Sequence, residues 1–188
     1  MGAALLMALS RTLIRTYAAE YPDHPEHLLH VTNQRIIADI HAGLFVTLFY
    51  GILDPSTGTL TYCNAGHPPP YIISPGESIT FQALRKTGLP LGISETSDWK
   101  PATAQIPADA LLLLYTDGVP DALNQIGEFF GGEQMLNIIQ TQMGYPARII
   151  QDALMSRVYA FAGIEPQVDD ITLMILIRSP EGRALTPS

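Results

Sequence analysis

Apolar residues recur at helical spacing in four segments, two at the start of the chain and two after residue 130. Recurrence near every 3.6 residues is typical of a helix that buries one side. Pro22 separates the first two segments. Asp23 and Pro25 are typical of the start of the second, because Asp caps helices and Pro suits a first turn. The predicted helices are Ala3–Tyr21, Asp23–Ile40, Glu133–Met143 and Pro146–Phe161.

Between the helix pairs the pattern changes to short runs rich in β-branched and aromatic residues, which predict strands. Turn-forming residues at Asp54–Gly58 and at Pro75-Gly76 predict two β-hairpins. The run Ala110–Tyr115 is apolar throughout, as a central buried strand would be. The predicted strands are Phe45–Leu53, Thr59–Asn64, Tyr71–Ser74, Ile79–Gln82, Lys100–Ile106, Ala110–Tyr115 and Ile171–Arg178.

The order of elements is a helix pair, a run of strands, a second helix pair and one last strand. Such segregated runs favour an α+β fold with layered antiparallel sheets over a Rossmann-type βαβ arrangement. We therefore predict one domain over 1–178, made of a helix pair (1–40), antiparallel strands (44–115), a helix pair (133–161) and a final strand (168–178). The polar tail, 179–188, is predicted to be loose.

Length and charge narrow the possible partners. The 188 residues are enough for one domain with a substantial core. The net charge of −8 argues against a nucleic-acid partner, because such binders carry basic patches.

The single cysteine, Cys63, lies in an apolar run, which predicts a buried structural thiol in a reducing compartment. No apolar run approaches the ~20 residues of a membrane span, so we expect a cytoplasmic protein.

Two acidic sites stand at predicted strand ends. Asp117 follows the buried strand and is followed by Gly118, which allows a sharp turn or a close approach. Asp169 and Asp170 open the last strand. Carboxylates that converge from different strands are ligands that Mg²⁺ and Mn²⁺ prefer. Each site also has a structural interpretation, as a turn or as edge charge, and the sequence alone leaves both open.

The histidines give a weaker signal. His24, His27 and His30 are three residues apart on the second predicted helix, a spacing that lacks the close partners and the acid of a zinc motif such as HExxH. The sequence therefore does not favour metal binding there. His67 ends the segment that begins at Asn64, at the mouth of a strand, where a structural loop and a functional site are both open.

Six segments in order along the chain together resemble the SpoIIE/RsbU-type branch of the PPM (PP2C-like) phosphatases. Each is weak alone, and their order and spacing carry the resemblance. The first looks like the family's first helix, the next two like its central hairpin, and the last two like its late acidic motifs. They are Gly2–Arg15, Phe45–Gly51, Asn64–Pro69, Gly88–Gly92, Tyr115–Val119 and Asp169–Leu173.

The resemblance implies a PPM-type αββα layered sandwich, in which two packed antiparallel sheets are flanked by helix pairs. It also implies a binuclear Mn²⁺ or Mg²⁺ centre that activates water and needs no covalent enzyme intermediate. By this likeness Asp117 and Asp169 would hold metal, and no catalytic residue beyond the metal ligands is expected. The resemblance also implies positions behind the metal ligands or at the edge of the site for Gly118, Asp170, Asn64 and His67.

By family analogy the substrate would be a phosphorylated anti-sigma-factor antagonist in a bacterial partner-switching pathway. The helix pair 1–40 would transmit a signal from an upstream sensor domain, and the likeness leaves room for a homodimer.

The early metal motifs of the family, which supply the acid that bridges both metals, do not occur in this sequence. We therefore expect an N-terminally truncated domain that lacks its first strands and is inactive or poorly soluble alone. Val119–Ala122 also departs slightly from the family pattern. The alternative is a pseudophosphatase, a non-catalytic module that binds such a partner.

Overall fold

The computed structural model describes residues 3–39, 43–164, 167 and 169–179. The predicted helix end at Ile40, the predicted strand start at Val168 and the predicted loose tail from 180 onward lie outside the described residues. Within the described residues there are four helices and seven strands. They are α1 (Ala3–Glu20), α2 (Pro25–Asp39), β1 (Leu48–Asp54), β2 (Thr59–Ala65), β3 (Tyr71–Ser74), β4 (Thr80–Ala83), β5 (Ala102–Gln105), β6 (Leu111–Tyr115), α3 (Gly132–Thr141), α4 (Ala147–Ala162) and β7 (Leu173–Ile177).

Each predicted helix and strand has an observed counterpart, with small shifts at the ends. The predicted strand from Phe45 begins only at Leu48, because Val46 instead forms an isolated bridge with Leu91, with backbone N–O distances of 2.9 and 2.8 Å. The predicted N-cap Asp23 is wrong. The amide of Leu28 donates to the carbonyl of His24 (3.1 Å), so His24 is the N-cap and Pro25 the first helical residue.

The chain divides into two compact units, each formed from two stretches of sequence. Unit 1 comprises Met1–Pro69 and Leu84–Gln105 and contains α1, α2 and a three-stranded sheet in the order β1-β2-β5. β1 and β2 form the predicted hairpin, paired from Leu48↔Ala65 to Asp54↔Thr59.

An apolar core joins the helices of unit 1 to its sheet. Its fully or almost fully buried side chains are Leu6, Leu28, Leu29, Ile36, Cys63, Ala65, Leu91 and Trp99. Cys63 is completely buried, which confirms the predicted buried thiol, and burial raises its pKa to about 11. Unit 1 therefore has a core of its own.

The turn between β1 and β2 is organised by Asp54. Its Oδ1 accepts hydrogen bonds from Ser56 Oγ (2.6 Å) and from the Ser56 amide (2.9 Å), and its Oδ2 accepts one from Thr57 Oγ1 (2.9 Å). These donors, the Ser56 hydroxyl first, lower the pKa of Asp54 to about 2. The hydrogen bonds of this turn thus depend on the ionised form of the Asp54 carboxylate.

Unit 2 comprises Pro70–Ala83 and Ile106–Ser188 and contains α3, α4 and a four-stranded sheet in the order β4-β3-β6-β7. β6 lies between β3 and β7, which confirms the prediction of a central buried strand. The core of unit 2 joins β3 and β6 to α3 and α4. Its buried residues are Ile73, Leu111, Leu113, Tyr115, Val119, Phe130, Met135, Ile139, Ile150, Leu154 and Val158.

Every pairing between the named strands is antiparallel, and strands and helices are segregated along the chain. The predicted α+β class is therefore confirmed, and a βαβ arrangement is not found among the described residues. Within those residues, no helix combines the length and the apolar character that crossing a membrane requires.

Candidate metal centre

The predicted acidic residues of unit 2 lie where β6 ends and β7 is about to begin. Leu111–Leu113 and Tyr115 are buried, and the chain reaches the surface within two residues, at the exposed Asp117. β6 and β7 are antiparallel neighbours and pair as far as Tyr115↔Leu173. Because antiparallel strands run in opposite directions, the end of β6 and the approach to β7 lie at the same edge of the sheet.

Thr116 fastens the two acidic segments together. Its amide donates to the carbonyl of Thr172 (3.0 Å), and its hydroxyl donates to the carbonyl of Asp170 (2.8 Å). The same hydroxyl accepts a hydrogen bond from the Thr172 amide (2.9 Å). One side chain thus fixes the backbone of Asp170 relative to that of Asp117.

Gly118 permits the close approach of the same segments. A Cβ at this position would lie 2.6 Å from the carbonyl oxygen of Asp170 and 3.1 Å from that of Asp169. Gly118 is itself buried. The close approach expected from the sequence is therefore observed, and it is made to the backbone of the second acidic segment.

The second acidic segment has its own local hydrogen bonds. The amide of Asp170 donates to Asp169 Oδ1 (2.7 Å), and Gln167 Nε2 donates to the carbonyl of Asp169 (2.6 Å). Both aspartates are exposed. One oxygen of Asp169 is thus held by the backbone, and Asp170 contributes through its amide to the position of the Asp169 carboxylate.

The donor set suits a hard divalent cation. Within the described ranges, the exposed Asp117 carboxylate has neither a hydrogen-bond donor nor a cationic partner, so it is available to a ligand. Exposed carboxylates on adjoining strand ends are oxygen donors of the kind that Mg²⁺ and Mn²⁺ prefer. Among the described residues, however, the acids of this edge do not gather three ligand atoms within 4.8 Å of one another. The segments that carry Asp117 and Asp169 are thus in contact through Thr116 and Gly118, and the two acids fit part of a metal site.

A cavity of about 160 Å³ adjoins the second acidic segment. It lies against the last turns of α4 and the loop after Asp117. Its lining includes Gly118, Asp121, Val158, Tyr159, Gln167 and Asp169. One wall is therefore acidic and another apolar.

Asn64 and His67 belong to unit 1. Asn64 is fully buried, with Nδ2 donating to the carbonyl of Leu84 (3.1 Å) and Oδ1 accepting from the amide of His67 (2.9 Å). The Nδ1 atom of His67 lies 3.4 Å from the hydroxyl of Thr47. Asn64 thus orders the loops around it, and a role for either residue at the edge of a metal site stays a prediction.

Sequence reasoning missed Thr116 and Gln167. Thr116 stands next to Asp117 in the motif, but no pattern in the sequence shows that its hydroxyl contacts Asp170, 54 positions away. Gln167 lies in a polar stretch with no periodicity. The contact of Thr116 depends on β6 and β7 being neighbours, whereas that of Gln167 is local, to the carbonyl of Asp169.

Comparison with known proteins adds a family relationship to this geometry. The family model described as "Stage II sporulation protein E (SpoIIE)" matches residues 1–179. Protein IcfG of Synechocystis sp. is 28% identical over 206 residues, which cover 95% of this chain and 32% of that protein. Phosphoserine phosphatase RsbU of Bacillus subtilis is 26% identical over 181 residues, which cover 95% of this chain and 53% of that protein. The chain thus spans about half or less of the length of these curated relatives.

Among solved structures, the SiaA-PP2C domain of Pseudomonas aeruginosa superposes with a TM-score of 0.80 at 22% identity. The match covers 94% of this chain and 71% of that domain. At this identity the likeness shows the fold, which is the PPM (PP2C-like) α+β fold expected from the sequence.

Proposed function

This chain belongs to the family of stage II sporulation protein E (SpoIIE), and we propose that it acts as a metal-dependent phosphoserine and phosphothreonine protein phosphatase domain. The observation that supports this activity is the pair of acidic strand ends joined by Thr116 and Gly118. Membership of a PPM-type family and the name of the relative RsbU, a phosphoserine phosphatase, point to the same chemistry.

In this proposal Asp117 and Asp169 hold Mn²⁺ or Mg²⁺. When bound, such ions activate water and neutralise the oxygens of a phosphoryl group. Thr116 holds the backbones of the two acidic segments together through three hydrogen bonds, and Gly118 allows the segments to touch. The Asp170 amide orients the Asp169 carboxylate.

The chain supplies no cysteine nucleophile for a covalent route. Cys63 is completely buried in unit 1, and burial raises the pKa of its thiol to about 11, so the reactive thiolate is scarce near neutral pH. Cys63 is also the only cysteine of the sequence. This argues against a cysteinyl-phosphate intermediate.

For the substrate we propose a phosphorylated anti-sigma-factor antagonist in the cytoplasm, with the signal arriving from a sensor domain through α1 and α2. The support is family membership and the likeness to RsbU. The acidic chain does not itself attract a phosphoprotein, since its net charge is −8. Bound cations would provide the positive charge that a phosphate needs.

A phosphatase assay tests the activity. Against the inactivity expected from the missing early motifs, the proposal predicts hydrolysis of p-nitrophenyl phosphate when Mn²⁺ is present. Asp117→Asn and Asp169→Asn should each lower kcat/KM by at least about tenfold, since the loss of a group that only supports metal ligands already costs roughly 10–100-fold. Asp152→Asn is the matched control, because Asp152 is an exposed aspartate of the same unit on α4, in an exposed ion pair with Arg148. Turnover without divalent ions, or turnover that both site variants retain, would refute the proposal.

The second candidate is a pseudophosphatase that binds the same partner without hydrolysis. It is favoured by the finding that the described acids of this edge do not gather three ligand atoms. Calorimetry with MnCl₂ separates the two. Absence of turnover together with Mn²⁺ binding that depends on Asp117 would support the binding module, whereas absence of both would overturn the assignment of the metal centre.

A further inference from the structure

A separate group of metal-ligating side chains lies in unit 1, at the turn that joins α1 to α2. Nδ1 of His24 lies 3.1 Å from Oε1 of Glu26, and Nδ1 of His27 lies 3.5 Å from the same oxygen. Among the residues that the structure describes, this is the one group of three histidine, cysteine or acidic side chains whose ligand atoms all lie within 4.8 Å of one another. We propose that His24, Glu26 and His27 form a binding site for Zn²⁺.

The backbone brings these side chains together. His24 is the N-cap of α2 and Pro25 its first residue, so His27 stands in the third helical position. Side chains at the N-cap and at the third helical position approach one another, and the two imidazole rings are 5.7 Å apart. Pro25 fixes the entry of the chain into the helix because its ring restricts φ. The ligands are therefore presented by a short and restrained segment.

The separations match those of a zinc site. Zn–N and Zn–O bonds of ~2.0–2.2 Å place neighbouring ligand atoms of a tetrahedron roughly 3.3–3.6 Å apart. The two observed distances from Glu26 Oε1, 3.1 and 3.5 Å, fall close to that range. Two histidines with one glutamate form a ligand set known in zinc enzymes.

The two histidine rings contact neighbouring rings. The ring of His27 lies 5.8 Å from that of Tyr21 at an interplanar angle of 30°, and 5.7 Å from that of His24. The histidine side chains are each 64% exposed and Glu26 is 26% exposed, so an ion can enter from solvent and keep a water as its fourth ligand. The site is thus accessible from solvent.

Ligand chemistry sets this site apart from the acidic edge of unit 2. Imidazole nitrogen suits Zn²⁺ and its transition-metal neighbours, whereas Mg²⁺ prefers oxygen donors throughout. The positive end of α2 opposes a cation, and the charge of Glu26 offsets that effect. Excess Mg²⁺ should therefore fail to displace zinc from His24, Glu26 and His27.

His30 provides a control within the same helix. It lies one turn further along and is also exposed, and its Nε2 lies 3.0 Å from Gln34 Nε2. It is outside the group of three ligand atoms. If zinc binding depends only on the number of histidines, a His30 variant will bind zinc more weakly. If it depends on the group of three ligands, the His30 variant will bind zinc as the wild type does.

The test is calorimetric titration of ZnCl₂ into the tag-free protein that carries Asp117→Asn and Asp169→Asn, with MgCl₂ in excess. One zinc site is expected. His24→Ala, His27→Ala and Glu26→Gln should each weaken it by at least about tenfold, since loss of even a supporting group costs 10–100-fold. His30→Ala should leave it unchanged. Co²⁺ should give the intense visible absorption of a four-coordinate site, and that absorption should be lost in the same three variants.

Circular dichroism checks that each variant remains folded, which the exposure of the two histidines favours. Three outcomes would each overturn the proposal. They are absence of zinc binding, binding that survives the combined replacement of all three ligands, and an equal loss of affinity in His30→Ala. The background substitutions keep this result independent of the phosphatase assay, because the acidic edge of unit 2 is disabled throughout.

Discussion

Gly118→Ala is the sharpest probe of the contact between the two acidic segments. The added Cβ would lie 2.6 Å from the carbonyl oxygen of Asp170, and real Cβ atoms essentially never approach closer than 3.0 Å. The neighbouring segment must therefore retreat by about 0.4 Å, the difference between these two distances. The obstacle is backbone, which no side-chain rotation can relieve.

The expected cost follows from two opposing effects. Overpacking destabilises by roughly 1–3 kcal/mol, while replacing Gly by Ala restricts the unfolded chain and returns ~0.4–1 kcal/mol. We expect a net loss of about 1–2 kcal/mol in the free energy of unfolding, which lowers the ratio of folded to unfolded protein about 5–30-fold. Mn²⁺ affinity should fall as well, because the segments that carry Asp117 and Asp169 move apart.

Urea unfolding followed by far-UV circular dichroism measures this loss. Trp99 fluorescence is recorded in parallel, since Trp99 belongs to unit 1 and Gly118 to unit 2. Gly132→Ala is the matched control. Gly132 opens α3 in the same unit and a Cβ there would meet nothing within 4 Å, so this variant should be neutral or slightly stabilising. The inferred contact would be refuted by a Gly118→Ala protein as stable as the wild type with unchanged Mn²⁺ affinity.

Three further predictions concern other single groups. Thr116→Val should destabilise by about 0.5–1.5 kcal/mol in urea unfolding, because it removes the hydrogen bonds of the hydroxyl while water can still reach the exposed backbone groups, and Thr116→Ser should restore most of the loss. The Cys63 thiol should react with Ellman's reagent at pH 8 only as the protein unfolds, and rapid labelling of native protein would contradict its burial. The carboxyl of Asp54 should titrate near pH 2 by NMR. Its pKa lies below the unfolded value of about 3.9, so the stabilisation by this carboxylate is full above pH 3.9 and is lost as the pH falls through about 2. Ser56→Ala should raise the pKa of Asp54, because it removes the hydroxyl donor.

The sequence predicted the helices and strands well, because their periodicity is set by which residues must be buried. Ala110–Tyr115 was identified as a central strand from its unbroken apolar run, and β6 does lie between two neighbours. The cap of α2 was wrong by one residue. Asp and His are adjacent there, and Pro25 selects the cap by taking the first helical position.

Contacts between distant residues were beyond the sequence. Asp117 and Asp169 could be named as acids at strand ends, but their pairing depends on the antiparallel register of β6 and β7. The role of Thr116 comes only from that register, and the close approach predicted at Gly118 had no predicted partner. The spacing of the histidines likewise did not predict the cluster in unit 1. The cluster also needs Glu26, whose carboxylate lies near both His24 and His27 in the folded chain.

The interleaving of the two units has a consequence for the protein as it leaves the ribosome. The β3–β4 hairpin is made before β6, its other neighbour in the sheet, and 36 residues separate Ser74 from Leu111. At a synthesis rate of ~5–20 residues per second, β6, the strand that pairs with Ile72 and Ile73, is made roughly 2–7 s after them. By then the last strand of unit 1 has already been synthesised. The nascent chain thus carries an unpaired apolar strand edge for several seconds, which is when a chaperone would be of most use.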